Sequence, residues 1–161
     1  GGDMKDKRIL PDIIKSIKKG QNLYLRHPKA TRPWQHVLEP LSGYLLTGHK
    51  LLNKNLKNNI YPSWNFGPKT KNCKSVEYIS KLALKYWGQN FTKIKLNQRK
   101  QYHESKFLSL NINKAKKELN WSPRLNLNQT INLSVNWYKS YFRKENMKKI
   151  TDDQIQFFLD Q

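Results

Sequence analysis

A chain of 161 residues, 37% of them apolar, suffices for one domain with its own core, and five Trp, eight Tyr and six Phe supply large buriable surface. The formal charge of +20 would suit a nucleic-acid binder, but only six of the 31 basic residues are Arg and the lysines are spread along the chain. The composition therefore argues against nucleic acid as the main partner. No apolar run is long enough to span a membrane, no secretion leader opens the chain, and the single Cys73 cannot form an internal disulfide. The expectation is a cytoplasmic protein.

In chain order, Gly1-Gly2-Asp3 reads as a loop or strand end. Ile9, Leu10, Ile13, Ile14 and Ile17 form a helical stripe over Arg8 to Lys19, with Pro11 near its start and Gly20 as the terminator. Leu23 to Arg26 predicts a short strand, followed by a turn at His27-Pro28-Lys29. Arg32 to Leu45 predicts a strand-like run that becomes an amphipathic helix, with Glu39 near the positive end of the dipole and Pro40 at the first helical position. Leu41, Tyr44, Leu45, Leu51 and Leu52 then fall on one helical face, which periodicity alone assigns to a buried strand-turn-helix. That helix should end near Lys54 in a polar loop.

Ser63 to Pro68 predicts a strand running into a Gly-Pro turn. Ser75 is placed to cap a helix whose face holds Val76, Ile79, Ala83, Tyr86 and Trp87, and Gly88 to stop it. Strands follow over Phe91 to Leu96 and Phe107 to Leu110. Ile112, Ala115 and Leu119 predict a short helix, with Asn120 in the left-handed position after it. A longer helix carries Leu127, Ile131, Val135, Tyr138 and Phe142 to about Lys144. Thr151-Asp152-Asp153-Gln154 reads as a capping box before a last helix. No internal repeat interrupts this alternation. The expected class is α/β, a small sheet with packed helices and a helical tail.

Generic chemical signals are few. There is no glycine-rich phosphate loop, because Gly1-Gly2 lacks a preceding strand and a third glycine. Tyr102 and Lys106 have the Y-x-x-x-K spacing of short-chain dehydrogenases but no helical scaffold after a nucleotide-binding strand, so the match reads as chance. His27, His36, His49 and His103 show no metal-ligand spacing. No metal site is expected, and His36 reads as a satisfied strand residue.

The motifs themselves say more. Gly1-Gly2-Asp3, Arg8-Ile9-Leu10-Pro11-Asp12 and the run Arg32-Pro33-Trp34-Gln35-His36-Val37-Leu38-Glu39-Pro40-Leu41-Ser42-Gly43-Tyr44-Leu45 resemble the C-terminal half of the CDP-glucose 4,6-dehydratases. These belong to the extended short-chain dehydrogenase/reductase family of sugar-nucleotide enzymes. Trp64-Asn65-Phe66-Gly67-Pro68, His103-Glu104 and Lys114-Ala115 through Leu119-Asn120-Trp121-Ser122-Pro123 continue the likeness in order. Met4 departs from it, since the family usually has Trp after Gly-Gly-Asp.

The resemblance implies that residues 1–161 are the substrate-binding portion of an extended Rossmann-fold enzyme. The NAD-binding domain, with its glycine fingerprint and the catalytic Tyr and Lys, would precede Gly1, so no catalytic or cofactor-binding residue is expected in the chain. Such enzymes oxidise CDP-glucose at C4, eliminate water across C5 and C6 and return the hydride to C6, giving CDP-4-keto-6-deoxyglucose for O-antigen and other lipopolysaccharide sugars. The parent is expected to be a homo-oligomer, and this chain by itself inactive.

By motif position Arg32 is expected on the pyrophosphate, where two adjacent phosphates suit a planar guanidinium fork. Arg8 and Ile9 open the helix that contacts the nucleotide, and Tyr24, Leu25 and Arg26 line the base and ribose. Asn65 is expected to hydrogen-bond the phosphate region. His103 and Glu104 stand where many relatives carry an Arg-containing loop. Three other readings remain open: a sibling epimerase or dehydratase acting on another nucleotide sugar, a basic nucleic-acid-binding module, and an inactive remnant that exposes an apolar face.

Overall fold

The computed structural model describes residues 2–53, 63–88, 92–96 and 105–161. The predicted Phe91 strand start, the helix end near Lys54 and the Tyr102, His103 and Glu104 positions lie outside the described residues, as does Gly1. Six helices, α1 (Ile9–Lys18), α2 (Leu38–Leu52), α3 (Val76–Trp87), α4 (Asn113–Leu119), α5 (Leu127–Phe142) and α6 (Met147–Leu159), alternate with four strands of three residues. Strands β1 (Leu23–Leu25) and β4 (Ile94–Leu96) pair in parallel, whereas β2 (Thr31–Pro33) and β3 (Cys73–Ser75) pair antiparallel. The chain is α/β, with helices packed on two small ladders.

Helix ends follow local chemistry. At the end of α1, Gly20 takes φ +63°, its N–H donates to the Ile17 carbonyl and the Gln21 N–H donates to the Ser16 carbonyl. That double bond pattern satisfies carbonyls that the helix itself leaves open, and glycine reaches the left-handed region without a Cβ penalty. Ser75 Oγ accepts the Tyr78 N–H at 3.2 Å to start α3, and Asn120 at φ 51° ends α4. A capping box starts α5, with Asn126 accepting the Gln129 N–H while the Gln129 side chain accepts the Asn126 N–H.

The main core lies where α1, α3 and α5 meet strand β1. Ile13, Ile17, Leu23, Leu25, Ile79, Ala83, Ile131 and Val135 are its buried members. A second cluster, Phe66, Ile112, Ala115, Leu119 and Trp121, joins the 66–68 segment to α4. It sits against the inner side of α2, where Gly43 lies so close to Phe66 that an added Cβ would meet the ring at 2.4 Å.

Several expectations are corrected. The leucine face of α2 points outward: Leu41, Tyr44, Leu45 and Leu52 are exposed, Leu52 by 88%, while Glu39 and Gly43 are the buried residues of the helix. The inward side is narrow and polar because Phe66 closes onto Gly43 and Glu39 is used for hydrogen bonds, so the leucines are left on the other side. Pro40 is the third helical residue rather than the first, since Val37 is the cap. It still sits among the first four positions, whose N–H groups lack intrahelical partners.

Residues 63–68 are extended without a ladder, and Phe107 makes only an isolated bridge to Thr31 where a strand was expected. The partner of β2 is instead β3, whose Cys-Lys-Ser sequence carries no apolar alternation. The last helix begins at Asn146, whose side chain accepts the Lys149 N–H, so Thr151 is interior to α6 and no capping box forms there. The Thr151 hydroxyl donates to the Met147 carbonyl, one turn back.

Candidate functional site

A cavity of about 440 Å³ is built from three parts of the chain. Asp3, Arg8 and Ile9 come from the N-terminal segment and the start of α1; Trp34 to Val37 come from the turn between β2 and α2; Ser134 and Tyr138 come from α5. The motif residues Gly-Gly-Asp, Arg-Ile-Leu-Pro and Trp-Gln-His-Val, separate in sequence, thus share one wall.

Local bonds fix this wall. The Tyr138 hydroxyl donates to the Asp3 carbonyl at 2.6 Å and so ties the N-terminal segment to α5. Burial raises the Tyr138 pKa, and the nearby Asp3 carboxylate adds to the shift. The Arg8 guanidinium pairs with the Asp3 carboxylate at 2.6 Å. Asp3 is held below the usual carboxylate range first by the Lys5 N–H it accepts and also by Arg8. Trp34 Nε1 donates to the Lys74 carbonyl of β3 at 2.7 Å.

Gln35 and His36 are the polar members of the cavity wall. Gln35 Nε2 donates to the Phe66 carbonyl at 3.1 Å, while its Oε1 is buried with no protein partner. His36 is 5% exposed and accepts the Leu38 N–H through Nδ1 at 3.4 Å. Burial lowers its pKa to about 4, so the imidazole is neutral at physiological pH. A neutral imidazole and an unpaired amide oxygen can meet a polar neutral ligand, whereas the Arg8 end of the cavity suits an anion.

Behind the cavity stands a rigid frame made of the same motifs. Glu39 is 1% exposed and accepts the Arg124 N–H at 2.9 Å and the Leu125 N–H at 2.7 Å. Burial raises the Glu39 pKa, and these two N–H bonds oppose the shift. Ser42 Oγ donates to the Glu39 carbonyl and accepts from Trp121 Nε1 at 2.9 Å. Phe66 packs edge-on against Trp121, with ring centroids 4.9 Å apart, and against Tyr44 at 5.8 Å. The Glu-Pro-Leu-Ser-Gly, Asn-Phe-Gly-Pro and Asn-Trp-Ser-Pro segments therefore form one packed unit around Phe66 and Gly43.

The residues expected to bind substrate are distributed over three places. Arg8 and Ile9 are on the cavity. Arg26 Nη2 donates to the Lys7 carbonyl at 3.1 Å, next in sequence to Arg8, and Tyr24 is 57% exposed on β1. Leu25, by contrast, is 2% exposed and its side chain belongs to the main core, so only its backbone is available to a ligand. Arg32 Nη1 donates to the Thr31 and Ser105 carbonyls, both at 2.9 Å, and thereby braces the segment that follows Glu104. Asn65 is exposed and its Nδ2 donates to the Asn111 carbonyl at 3.4 Å. Tyr138 and Gln35 were absent from the sequence-derived set; the Tyr138 contact spans 135 residues and no local pattern announces it. Among the described residues no group of His, Cys, Asp or Glu could hold a metal ion.

No protein-family model matches the chain. A curated CDP-glucose 4,6-dehydratase from Salmonella typhimurium (strain LT2) is 38% identical over 147 residues, which is 91% of this chain and 40% of that protein. The chain is a relative of the CDP-glucose 4,6-dehydratases. It spans 40% of the length of that dehydratase.

Solved structures extend the likeness to neighbouring sugar-nucleotide enzymes. The dTDP-glucose 4,6-dehydratase DesIV from Streptomyces venezuelae, with NAD and TYD bound, superposes with a TM-score of 0.70 at 16% identity, covering 91% of this chain and 42% of its own. The UDP-glucuronic acid 4-epimerase from Bacillus cereus, in complex with UDP-glucuronic acid and NAD, gives 0.68 at 19%, covering 85% and 41%. A dTDP-glucose 4,6-dehydratase from Bacillus anthracis with NAD gives 0.67 at 20%, covering 83% and 39%. At these identities the solved structures establish the fold: part of an extended short-chain dehydrogenase/reductase sugar-nucleotide enzyme.

Proposed function

We propose that this chain is the nucleotide-sugar-binding part of a CDP-glucose 4,6-dehydratase, an NAD-dependent lyase that forms CDP-4-keto-6-deoxyglucose. The observation that carries the reading is the 38% identity to the Salmonella dehydratase over nearly the whole chain. The packed unit of dehydratase-like motifs around Phe66 supports it, because those residues make a frame rather than a scatter of chance matches. In this reading Arg32, Arg8 and Arg26 hold the negative charge of the substrate, Tyr24 and Ile9 flank its base and ribose, and Asn65 supplies a hydrogen bond. His103 and Glu104 belong to the same expected set by motif position. The role of the chain is to bind and orient, and the hydride and proton transfers are assigned to the rest of the parent.

NAD does not fit the described residues. The glycines with positive φ are Gly2, Gly20 and Gly88, and Gly20 and Gly88 end helices, whereas a dinucleotide cradle needs glycines between a strand and a helix start. We assign the cofactor to the part of the parent that corresponds to the unmatched length of the relatives. The outward leucine face of α2 fits the same division, since an apolar stripe beside the candidate cavity is the kind of surface that a partner domain covers. This chain alone should then lack turnover. No described helix is long and apolar enough to cross a membrane, and the proposed setting is the cytoplasm, in synthesis of surface polysaccharide such as O-antigen.

The test is calorimetric titration of the intact parent with CDP-glucose, UDP-glucose and dTDP-glucose. CDP-glucose should bind tightest, and Arg32→Ala should weaken it by about tenfold or more while the parent stays folded. No binding of CDP-glucose, or binding unaffected by Arg32→Ala, refutes the assignment. A preference for another nucleotide sugar supports the sibling reading, which the epimerase among the solved neighbours favours. The nucleic-acid reading gains nothing from these relatives.

A further inference from the structure

A second cavity, of about 920 Å³, is roughly twice the size of the one above and shares none of its residues. It lies between the C-terminal half of α3 and strand β4, with the 28–29 turn at one side. Its chemistry is two-sided. Leu84, Ile94 and Leu96 give an apolar wall, while Lys29, Lys81, Lys85 and Lys93 bring four ammonium groups to the rim. Glu77 is the one carboxylate among the lining residues and is already paired with Lys81 at 2.6 Å. Lys29, Lys85 and Lys93 make no ion pair among the described residues.

Converging like charges beside an apolar wall repel one another unless an anion sits among them. A second sign is independent of charge. Thr92 lines the cavity and is 7% exposed, and its hydroxyl is buried without a hydrogen-bond partner in the protein. Buried hydroxyls are normally satisfied, so an unsatisfied one on a cavity wall marks a place for a ligand atom.

The strand register separates this cavity from the face expected to meet the nucleotide sugar. In the parallel ladder Leu23 faces Ile94, Tyr24 faces Lys95 and Leu25 faces Leu96. Side chains alternate across a strand, so Ile94 and Leu96 lie on the face opposite Tyr24 and Lys95. A ligand in the cavity would occupy the core side of this ladder, and Tyr24 the other.

We propose that this cavity is a second ligand site that takes a nucleoside diphosphate, its phosphates among Lys29, Lys85 and Lys93 and its base against Leu84 and Ile94. The proposal rests on the cavity itself and is independent of the function assigned above. The probes are ADP, inorganic pyrophosphate and adenosine, each titrated calorimetrically into the full chain at moderate salt. ADP should bind saturably at one site and more tightly than pyrophosphate, and adenosine should bind weakest. Lys85→Glu and Lys93→Glu should each weaken ADP by about tenfold. Lys117→Glu makes the same charge change at an exposed position of α4 and should alter it by less than about twofold.

Absence of saturable ADP binding overturns the proposal. So does an equal loss in Lys117→Glu, which would mark general basicity, or pyrophosphate binding as tightly as ADP, which would leave the apolar wall without a role. ADP binding abolished by Arg32→Ala with Lys85→Glu unaffected would place the ligand elsewhere and overturns it as well.

Discussion

Glu39 offers the sharpest test of how the dehydratase-like motifs are held together. Its carboxylate is almost completely buried and accepts two backbone N–H groups, those of Arg124 and Leu125, 85 and 86 residues away in sequence. Replacement by Ala leaves both donors buried and unpaired, at about 1–3 kcal/mol each. Part of that loss is offset, because burial already opposes the ionised carboxylate and raises its pKa. The net expectation is a destabilisation of about 2–4 kcal/mol, or a fall in melting temperature of roughly 4–15 °C for a domain of this size. Glu39→Gln keeps an acceptor oxygen of similar reach and should cost about 1 kcal/mol. Urea unfolding followed by tryptophan fluorescence reads both, since Trp121 sits beside Ser42 in the same network. A Glu39→Ala protein within about 1 kcal/mol of the parent, or no gap between the Ala and Gln variants, would refute the claim that this carboxylate organises the frame.

Gly43→Ala should destabilise by about 1–3 kcal/mol, because the new methyl would lie 2.4 Å from the Phe66 ring; thermal unfolding reads it, and an unchanged melting temperature would mean that Phe66 moves freely. His36 has a folded pKa of about 4 against an ordinary 6.5, so the unfolded chain gains a proton that the folded chain does not. Stability from this group is present above pH 6.5 and is lost as pH falls toward 4, about 2 kcal/mol of it between pH 7 and 5. Glu39, with its raised pKa, contributes with the opposite sign, so the measurement is the stability slope of the parent minus that of His36→Gln, and equal slopes would disprove it. For the outward face of α2, the double change Leu45→Gln with Leu52→Gln should lower hydrophobic-dye binding by this chain with little loss of stability. Unchanged dye binding would show that those leucines are covered.

How far the sequence led depends on whether each signal was local. The helices α1, α3 and α5 were legible because their apolar residues recur with helical spacing and their ends carry Gly20, Gly88 or a capping Ser or Asn within one turn. Strand β3 was not, because Cys73, Lys74 and Ser75 have no alternation and form a strand only by pairing with β2. The orientation of α2 was misread for a related reason. Helical spacing identifies an apolar face but not what that face meets, and here the inward side is set by Phe66 and by the 124–125 backbone. In the candidate site, Arg8 and Ile9 were found through motif likeness, and the structure places them on the cavity with Trp34 to Val37. Tyr138 and the unpaired oxygen of Gln35 escaped notice because both follow from contacts between segments far apart in sequence.

The strands carry a consequence for motion. Each ladder has two strands of three residues, whereas α3 and α5 are long helices packed around the buried Ile79, Ala83, Ile131 and Val135. Opening a three-residue ladder exposes little apolar surface, so the amides of β1 to β4 should exchange with solvent deuterium long before those of α3 and α5. Tyr24 and Arg32, which lie on these ladders, can therefore be displaced or re-aimed at small cost while the helices hold their places. In this chain the expected binding side chains ride on its most easily opened hydrogen bonds.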